Sequence, residues 1–189
     1  MVFIRISRWY LRSLSKHPWK TQLLTAGSLA ATGDIIAQVG IEKLSKGYDA
    51  KRTARFFGFG CCFFAPILRV WFAALNRYVH VRAAPKLSPL LRVAIDQGCF
   101  GPCFVSAFLI LLRLAEGNDF ETASKRWRDD FFDIYGTGLK IWPATQLINF
   151  YFVPLQFQML LVQTVALFWN IYLAWRTNKH VDLTGAVTY

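Results

Sequence analysis

Acidic residues are scarce in this chain, and none occurs near its start. The 189 residues include 11 Asp and Glu against 22 Lys and Arg, and the first acid is Asp34. The basic, serine-containing N-terminus, "MVFIRISRWYLRSLSK", is typical of a mitochondrial targeting segment and equally of a basic amphipathic helix on a membrane surface. Its scattered bases surround no separate apolar core, which excludes a secretory signal.

Motifs for catalysis and for nucleic-acid binding are also missing. The chain contains no nucleophile elbow, phosphate-binding loop, glycine fingerprint or zinc-ligand pair, and the acids of its apolar stretches are far apart. We therefore expect no enzyme, no cofactor and no bound metal. The net charge of +11 lies mostly beside the apolar stretches, as anchoring charges do, so we expect no direct nucleic-acid partner.

Cysteine is limited to four residues, all inside apolar stretches. Cys61 and Cys62 fall in the second stretch, and Cys99 and Cys103 fall in the third. This placement excludes a secreted disulfide framework and favours cysteines that are buried as small hydrophobic residues. Because Cys99 and Cys103 are four residues apart, they share a helix face, and a thiol switch there stays open as an alternative.

Apolar residues are what the chain has in excess. They make up 54% of it, more than a soluble domain of this size can bury. Long apolar stretches lie at about 19–41, 53–76, 89–115 and 155–175, each near the roughly 20 residues that cross a bilayer. The sequence predicts an all-α, polytopic membrane helix bundle of four spans, with the lipid bilayer as its first partner.

A fifth, weaker span is predicted at 138–153, bounded by Pro154. Before it, "NDFETASKRWRDDFFDIY" mixes charges with aromatic residues near helical spacing and predicts an amphipathic helix at the membrane interface. No linker or soluble segment interrupts the chain, so residues 1–189 are expected to form a single integral membrane domain. The choice between four and five crossings, and the orientation of the termini, stay open.

The first span contains an aspartate among small residues. Gly27, Ala31, Asp34 and Gln38 share one helical face. Small faces allow membrane helices to approach closely, and a charged carboxylate near the bilayer centre costs roughly 2.5–3.5 kcal/mol. Asp34 is therefore expected to face protein or water, and no cationic partner is evident at its depth.

The next two spans also contain polar residues. The second has a stripe of small and polar residues: Gly58, Cys62, Ala65, Arg69 and Asn76. The third has Asp96 and Gln97 near its start, at a depth matching Arg69 in a helical hairpin, and we predict an Arg69–Asp96 pair. Arg113 lies near a span end and is expected to snorkel to the interface. These groups either join helices to one another or line a polar path.

Motifs over nearly the whole chain resemble one family. They begin at "HPWKTQLLTAGSLAATGDIIAQ" and continue through "DQGCFGPCF" to "WPATQLINFYFVP". In the last motif the matching residues are Trp142, Pro143, Gln146, Asn149, Phe150, Val153 and Pro154. From Trp9 to Trp175 the chain resembles the membrane family that includes the mitochondrial Mpv-seventeen protein and peroxisomal membrane protein two, and it is nearer to the mitochondrial branch.

The resemblance implies a small helical protein of the inner mitochondrial membrane, with the peroxisomal membrane less favoured. It also implies a non-selective, weakly cation-preferring pore that influences membrane potential, and a role in maintaining mitochondrial DNA and its nucleotide supply. In that case Asp34, Asp96, Gln97, Gln146 and Asn149 line a path for ions or small metabolites. Homo-oligomerisation is expected to widen the path. The alternative is a non-conducting structural protein whose polar residues join the helices of a dry bundle.

Overall fold

The computed structural model describes residues 10–43 and 47–184, the side chains of residue 156 and of residues 178–184 excepted. After a helical stretch at 10–16, the long helices are α1 (Pro18–Ile41), α2 (Ala50–Tyr78), α3 (Pro85–Ala115), α4 (Phe120–Phe152) and α5 (Leu155–Thr184). The described residues contain no strand. The prediction of an all-α fold is confirmed.

Four helices are long and apolar enough to cross a bilayer, and they overlap the four strongest predicted stretches. They are α1, α2, α3 and the part of α5 at Phe157–Thr177. The prediction of a helix bundle with four spans is confirmed. Helix α4 is outside this set, because its N-terminal half is rich in charged residues and its C-terminal half, which contains Lys140, Gln146 and Asn149, is not apolar enough.

Helix α4 differs from its predicted form. The expected interfacial helix and the short span at 138–153 are one continuous helix of 33 residues, with Pro143 inside it. At about 1.5 Å per residue this helix is about 50 Å long. It ends where Val153 adopts an extended conformation before Pro154, because a proline disfavours helical dihedrals in the residue before it.

Side-chain caps begin two of the helices. The Asp49 carboxylate accepts a hydrogen bond from the backbone N–H of Arg52 at 3.0 Å, and Asp119 accepts one from Thr122 at 3.2 Å. Hydrogen bonds from the hydroxyl and backbone of Thr122 lower the pKa of the exposed Asp119 carboxyl. Asp49 thereby starts α2 three residues before the predicted span and places Arg52 in its first turn.

A π-helical turn ends the first span, and one interrupts each of the next two spans. The turns are Ala37–Ile41, Gly60–Phe64 and Asp96–Phe100. The second and third precede Pro66 and Pro102 at the same distance, where a proline removes one helical N–H and crowds the preceding turn. Each π turn adds one residue to a helical turn and so rotates the residues after it to another face.

This rotation changes which small residues pack in α2. The predicted stripe is wrong at Gly58 and Cys62: a Cβ on Gly58 would meet nothing within 4 Å, and Cys62 is exposed. Gly60 and Cys61 form the contact with α1 instead. A Cβ on Gly60 would lie 2.5 Å from the backbone oxygen of Ala26. The two backbones approach this closely because Gly60 has no side chain.

Gly60→Ala is therefore expected to lower the free energy of unfolding by about 1–3 kcal/mol, because the added methyl group overpacks a contact between two backbones. Unfolding in a graded detergent titration measures the effect. Gly58→Ala is the matched control, two residues earlier in the same helix, and is expected to be neutral or stabilising by up to about 1 kcal/mol. Equal losses in both variants would contradict the assigned contact.

The predicted membrane domain contains two compact units. The first comprises the described residues up to Trp71 together with Met159–Trp175, and the second comprises Phe72–Gln158 together with the described residues from Arg176. In the first unit α1 packs on α2 where Ala26 and Gly27 meet Gly60, and Ala26, Ala30 and Ala37 are buried. In the second, Phe72 packs edge-on against Phe150 with ring centroids 5.8 Å apart. Each unit has its own core and its own buried polar cluster.

Candidate functional site

The buried polar cluster of the first unit is centred on Asp34, whose exposed fraction is 0%. One carboxylate oxygen lies 2.6 Å from Nε of Arg52. The other accepts hydrogen bonds from Thr53 Oγ1 at 2.6 Å and from Gln38 Nε2 at 2.8 Å. Asp34 therefore faces protein, and it is held by a cation, a hydroxyl and an amide.

Arg52 connects this cluster to a second acid. Its two terminal nitrogens donate to both carboxylate oxygens of Glu42, each at 2.8 Å, and one of them also donates to the backbone oxygen of Ala174 at 3.2 Å. Such two-pronged pairing fixes the guanidinium plane. Asp34 and Gln38 share one face of α1, and Glu42 directly follows the π turn at its end, so the C-terminal end of α1 and the residue after it supply both acids.

The expectation that Asp34 lacks a cationic partner is wrong. Arg52 lies just outside the predicted span at 53–76, so a search for a partner among the span residues missed it. The Asp49 cap extends α2 by enough to bring Arg52 onto Asp34. The signal available in the sequence was the "DAKR" stretch, a helix-capping acid followed at three residues by an arginine.

Arg69, also in the first unit, has partners other than a carboxylate. It donates to the side-chain oxygen of Gln22, and its guanidinium carbon lies 4.7 Å from the centre of the Trp19 ring. Gln163 donates to the backbone oxygen of Gln22 at 3.0 Å. The predicted Arg69–Asp96 pair joins residues of different units, each with partners in its own unit, and it stays a prediction.

The buried polar cluster of the second unit is centred on Asp96, within the third π turn. One Asp96 carboxylate oxygen accepts from Gln97 Nε2 at 2.7 Å and from Gln146 Nε2 at 3.0 Å. Asn149 donates to the side-chain oxygen of Gln146 at 3.0 Å. Tyr135 donates to the backbone oxygen of Gln97. The structure thus brings together four residues that the sequence singled out on two different helices.

A second series of hydrogen bonds begins at the backbone oxygen of Asn149. Gln158 donates to it at 3.4 Å, and Asn76 donates to the side-chain oxygen of Gln158 at 2.9 Å. Arg92 in turn donates to the side-chain oxygen of Asn76 at 2.6 Å, and its Nε donates to the backbone oxygen of Val79 at 3.2 Å. Neutral amides therefore connect the Asp96 cluster to Arg92. Of these amides, the sequence analysis singled out Asn76 and left out Gln158.

A third cluster contains charges that the sequence analysis misjudged. Arg113 is buried and pairs with Glu116 at 2.9 Å and with Asp130 at 3.3 Å, so the expectation that it snorkels to the interface is wrong. Arg176 pairs with the other oxygen of Asp130 at 2.7 Å and with Asp133 at 2.7 Å. A buried carboxylate from α4 thus joins arginines of α3 and α5.

The diagnostic motif near the end of α4 has a structural basis. Trp142 and Pro143 are half-buried inside the helix, Phe150 is buried against Phe72, and Pro154 follows the extended Val153. Gln146 and Asn149 lie between these residues and supply the amides around Asp96. The motif therefore combines a packing face, a polar face and the end of the helix.

The cysteines are less buried than expected. Cys62, Cys99 and Cys103 are exposed, and Cys61 is half-buried with its thiol 3.3 Å from the backbone oxygen of Leu23. The prediction of buried cysteines is therefore wrong for three of the four. All four are free thiols. A thiol switch at Cys99 or Cys103 stays a prediction.

Comparison with known proteins gives consistent matches. The sequence model of the Mpv17 / PMP22 family matches residues 113–174, which include the diagnostic motif. The mitochondrial inner membrane protein Mpv17 of Xenopus laevis is 39% identical over 173 residues, covering 91% of this chain and 97% of that protein. No solved structure matches.

Two further relatives extend the comparison across animals. The Homo sapiens mitochondrial inner membrane protein Mpv17 is 38% identical over 91% of this chain and 97% of its own length. The Caenorhabditis elegans protein of the same name is 41% identical over 90% of this chain and 92% of its own length. With its four membrane-spanning helices, the chain belongs to the Mpv17/PMP22 family and is a protein of the mitochondrial inner membrane.

Proposed function

We propose that this protein forms a non-selective, weakly cation-preferring pathway for ions or small metabolites across the mitochondrial inner membrane, without catalysing a reaction. Asp34 and Asp96 give the pathway its cation preference, and the amides of Gln38, Gln97, Gln146 and Asn149 supply its neutral polar lining. In the conformation described here, the groups within each unit bind one another: Gln38 donates to Asp34 in the first unit, and Gln97 and Gln146 donate to Asp96 in the second. The pathway is then in a closed state.

The observation that carries this proposal is the burial of ionisable side chains within helices that cross the membrane. Asp34 is fully buried and held by Arg52 within α1 and α2. Well-packed apolar residues join helices at less cost than a buried ion pair does, so a merely structural contact would not need one. Ionisable residues inside spans commonly mark ion or substrate routes.

Sparse charge accounts for the weak selectivity. A tightly selective filter needs several like groups converging on one ion. In the described part of each unit, the spans contain a single carboxylate: Asp34 is paired with Arg52 and accepts from a hydroxyl and an amide, and Asp96 accepts from amides. One carboxylate favours cations but does not replace their hydration shell. A second copy of the chain would widen the pathway, because a bundle of four spans encloses little space.

The resemblance to the mitochondrial family adds a cellular role to the proposal. A pathway of this kind would dissipate part of the membrane potential and admit small charged metabolites. Its contribution to the mitochondrial nucleotide supply, and so to mitochondrial DNA maintenance, would follow from that passage. No direct contact with nucleic acid is needed.

A non-conducting structural protein is the second candidate, and one observation favours it. The polar residues predicted to line a path are hydrogen-bonded to each other, as in the Gln97–Asp96–Gln146–Asn149 series. Interhelical hydrogen bonds of this kind stabilise membrane bundles. In that case the Asp34 and Asp96 clusters would only hold helices together.

Asp34→Asn distinguishes the two candidates. The amide oxygen can still accept hydrogen bonds from Thr53 and Gln38, and Arg52 keeps its two-pronged pairing with Glu42, so the variant is expected to fold. If Asp34 lines a pathway, loss of its charge shifts the reversal potential toward zero in a salt gradient. Single-channel recording of the purified protein in planar bilayers measures this shift, with Asp96→Asn tested in parallel.

Asp133→Asn is the control, because the Asp133 side chain is 69% exposed and lies outside the four spans. It is expected to leave the reversal potential unchanged. A folded Asp34→Asn variant with the parent's reversal potential would show that Asp34 does not line the pathway. Well-folded parent protein without any conductance would favour the structural candidate.

A further inference from the structure

An arginine of α2 lies against the start of α1, near the membrane boundary, and has no carboxylate partner among the described residues. Arg69 of α2 contacts Gln22 and the face of Trp19, which lie in the first two turns of α1. Gln22 is only about 6 Å along the helix from Pro18, at 1.5 Å per residue. Trp19 is exposed, as is usual for a tryptophan at the headgroup level. Arg69 is therefore at the interface.

Arg69 differs in this respect from the arginines of the two charged clusters. Arg52 is paired with Asp34 and Glu42, and Arg113 with Glu116 and Asp130. Within the described residues of the first unit, Arg69 donates to one neutral amide oxygen and has no acid beside it. Its remaining N–H groups have no hydrogen-bond acceptor among the described residues and can bind an anion in a two-pronged geometry.

Three further basic side chains lie near the start of α1 along the chain. Arg12, Lys16 and Lys20 are exposed, and none of them forms an ion pair within the described residues. The helical stretch at 10–16 packs against α1 through the contact of Tyr10 with Thr25, and Leu14 is buried. Its basic residues are thereby held beside the first turn of α1.

The backbone adds to the positive potential. His17, which precedes α1, provides no side-chain cap, and the first turn of α1 contains no acid. The first N–H groups of a helix lack intrahelical acceptors, and its N-terminus carries a partial positive charge. The basic side chains and the N-terminal end of α1 therefore both attract anions.

We propose that this basic entrance, defined by Arg12, Lys16, Lys20 and Arg69, binds the phosphate headgroup of an anionic phospholipid. Arg69 pairs with the phosphate oxygens, Trp19 and Gln22 hold its guanidinium in place, and the three exposed bases neutralise the remaining charge. Leu24 and Val70, both exposed and apolar, provide surface for the acyl chains. Basic sites between membrane helices bind such headgroups.

The test measures lipid binding by the full-length protein. Purified protein in a neutral detergent is titrated with tetraoleoyl cardiolipin or with dioleoyl phosphatidylcholine, and bound lipid is counted by native mass spectrometry. We expect saturable binding of cardiolipin, and binding about tenfold weaker in Arg69→Gln, which loses the two-pronged contact. Lys16→Gln/Lys20→Gln is expected to weaken binding by roughly 30-fold, at about 1 kcal/mol for each base.

Arg82→Gln is the matched control, because it removes one exposed base from the α2–α3 connection, and its affinity is expected to stay within about twofold of the parent. The proposal is overturned if Arg69→Gln and Arg82→Gln bind cardiolipin equally. If Arg69→Gln does not fold, the lysine double variant decides, since both of its side chains are exposed. Displacement of cardiolipin by an equal concentration of inorganic phosphate would also overturn it, because the site would then hold a soluble phosphate.

Discussion

Arg52→Gln is expected to lower the free energy of unfolding by about 3–5 kcal/mol, because it leaves the Asp34 carboxylate buried without its cation. Glu42 loses the same partner, but part of it is exposed and water can hydrate it. Equilibrium unfolding in mixed detergent micelles measures the loss. Lys51→Gln is the control: it removes an exposed charge from the same turn, and its effect is expected within about 0.5 kcal/mol.

The double variant Arg52→Gln/Asp34→Asn isolates the ion pair. Without the buried carboxylate, the loss of Arg52 no longer leaves an uncompensated charge, so the double variant is expected to be more stable than Arg52→Gln alone. A double-mutant cycle gives the interaction energy, expected at about 1–3 kcal/mol. An interaction energy near zero would contradict the pairing of Asp34 with Arg52.

Asp130→Asn is expected to have a comparable effect in the second unit, a loss of about 3–5 kcal/mol, because two arginines share this one buried carboxylate. Arg113, which is buried, would keep only Glu116 as an ionic partner among the described residues. The same unfolding measurement applies, and helix-specific cysteine labelling at the ends of α3 and α5 would report local opening.

Asp133→Asn is the matched control for Asp130→Asn. Both aspartates belong to α4 and both pair with Arg176 at 2.7 Å, but the Asp133 side chain is 69% exposed against 2% for Asp130. An exposed pair contributes about 0–1 kcal/mol, so the control is expected to lose no more than that. Equal losses in the two variants would mean that burial does not determine the strength of these pairs.

The two charged clusters explain how a basic membrane protein tolerates charge inside its helices. In each cluster an arginine reaches carboxylates from two different places in the chain. Their separate hydrogen bonds to backbone oxygens, at Ala174 and Thr177, also involve α5. Breaking one of these contacts would leave a buried polar group without its partner, which costs about 1–3 kcal/mol and more for a charged group.

The sequence by itself determined the features that depend on local composition. Its apolar stretches of about 20 residues identified four membrane-spanning helices. The small-residue face of α1 indicated that Asp34 faces protein or water and not lipid, because a carboxylate in lipid is costly. The motif ending at Pro154 marked the end of α4, because proline restricts the residue before it.

Only the tertiary structure decided how residues on different helices meet. The π turns at Gly60–Phe64 and Asp96–Phe100 rotate the faces after them, and a regular period of 3.6 residues cannot anticipate this rotation. Arg52 pairs with Asp34, and Asp130 pairs with Arg113 and Arg176, through contacts between helices. The sequence analysis assigned no partner to either residue, because Arg52 lay just outside a predicted span and Asp130 lay in a predicted interfacial helix. Buried charges are stabilised by specific geometry, and geometry between helices is set by the packing of the whole unit.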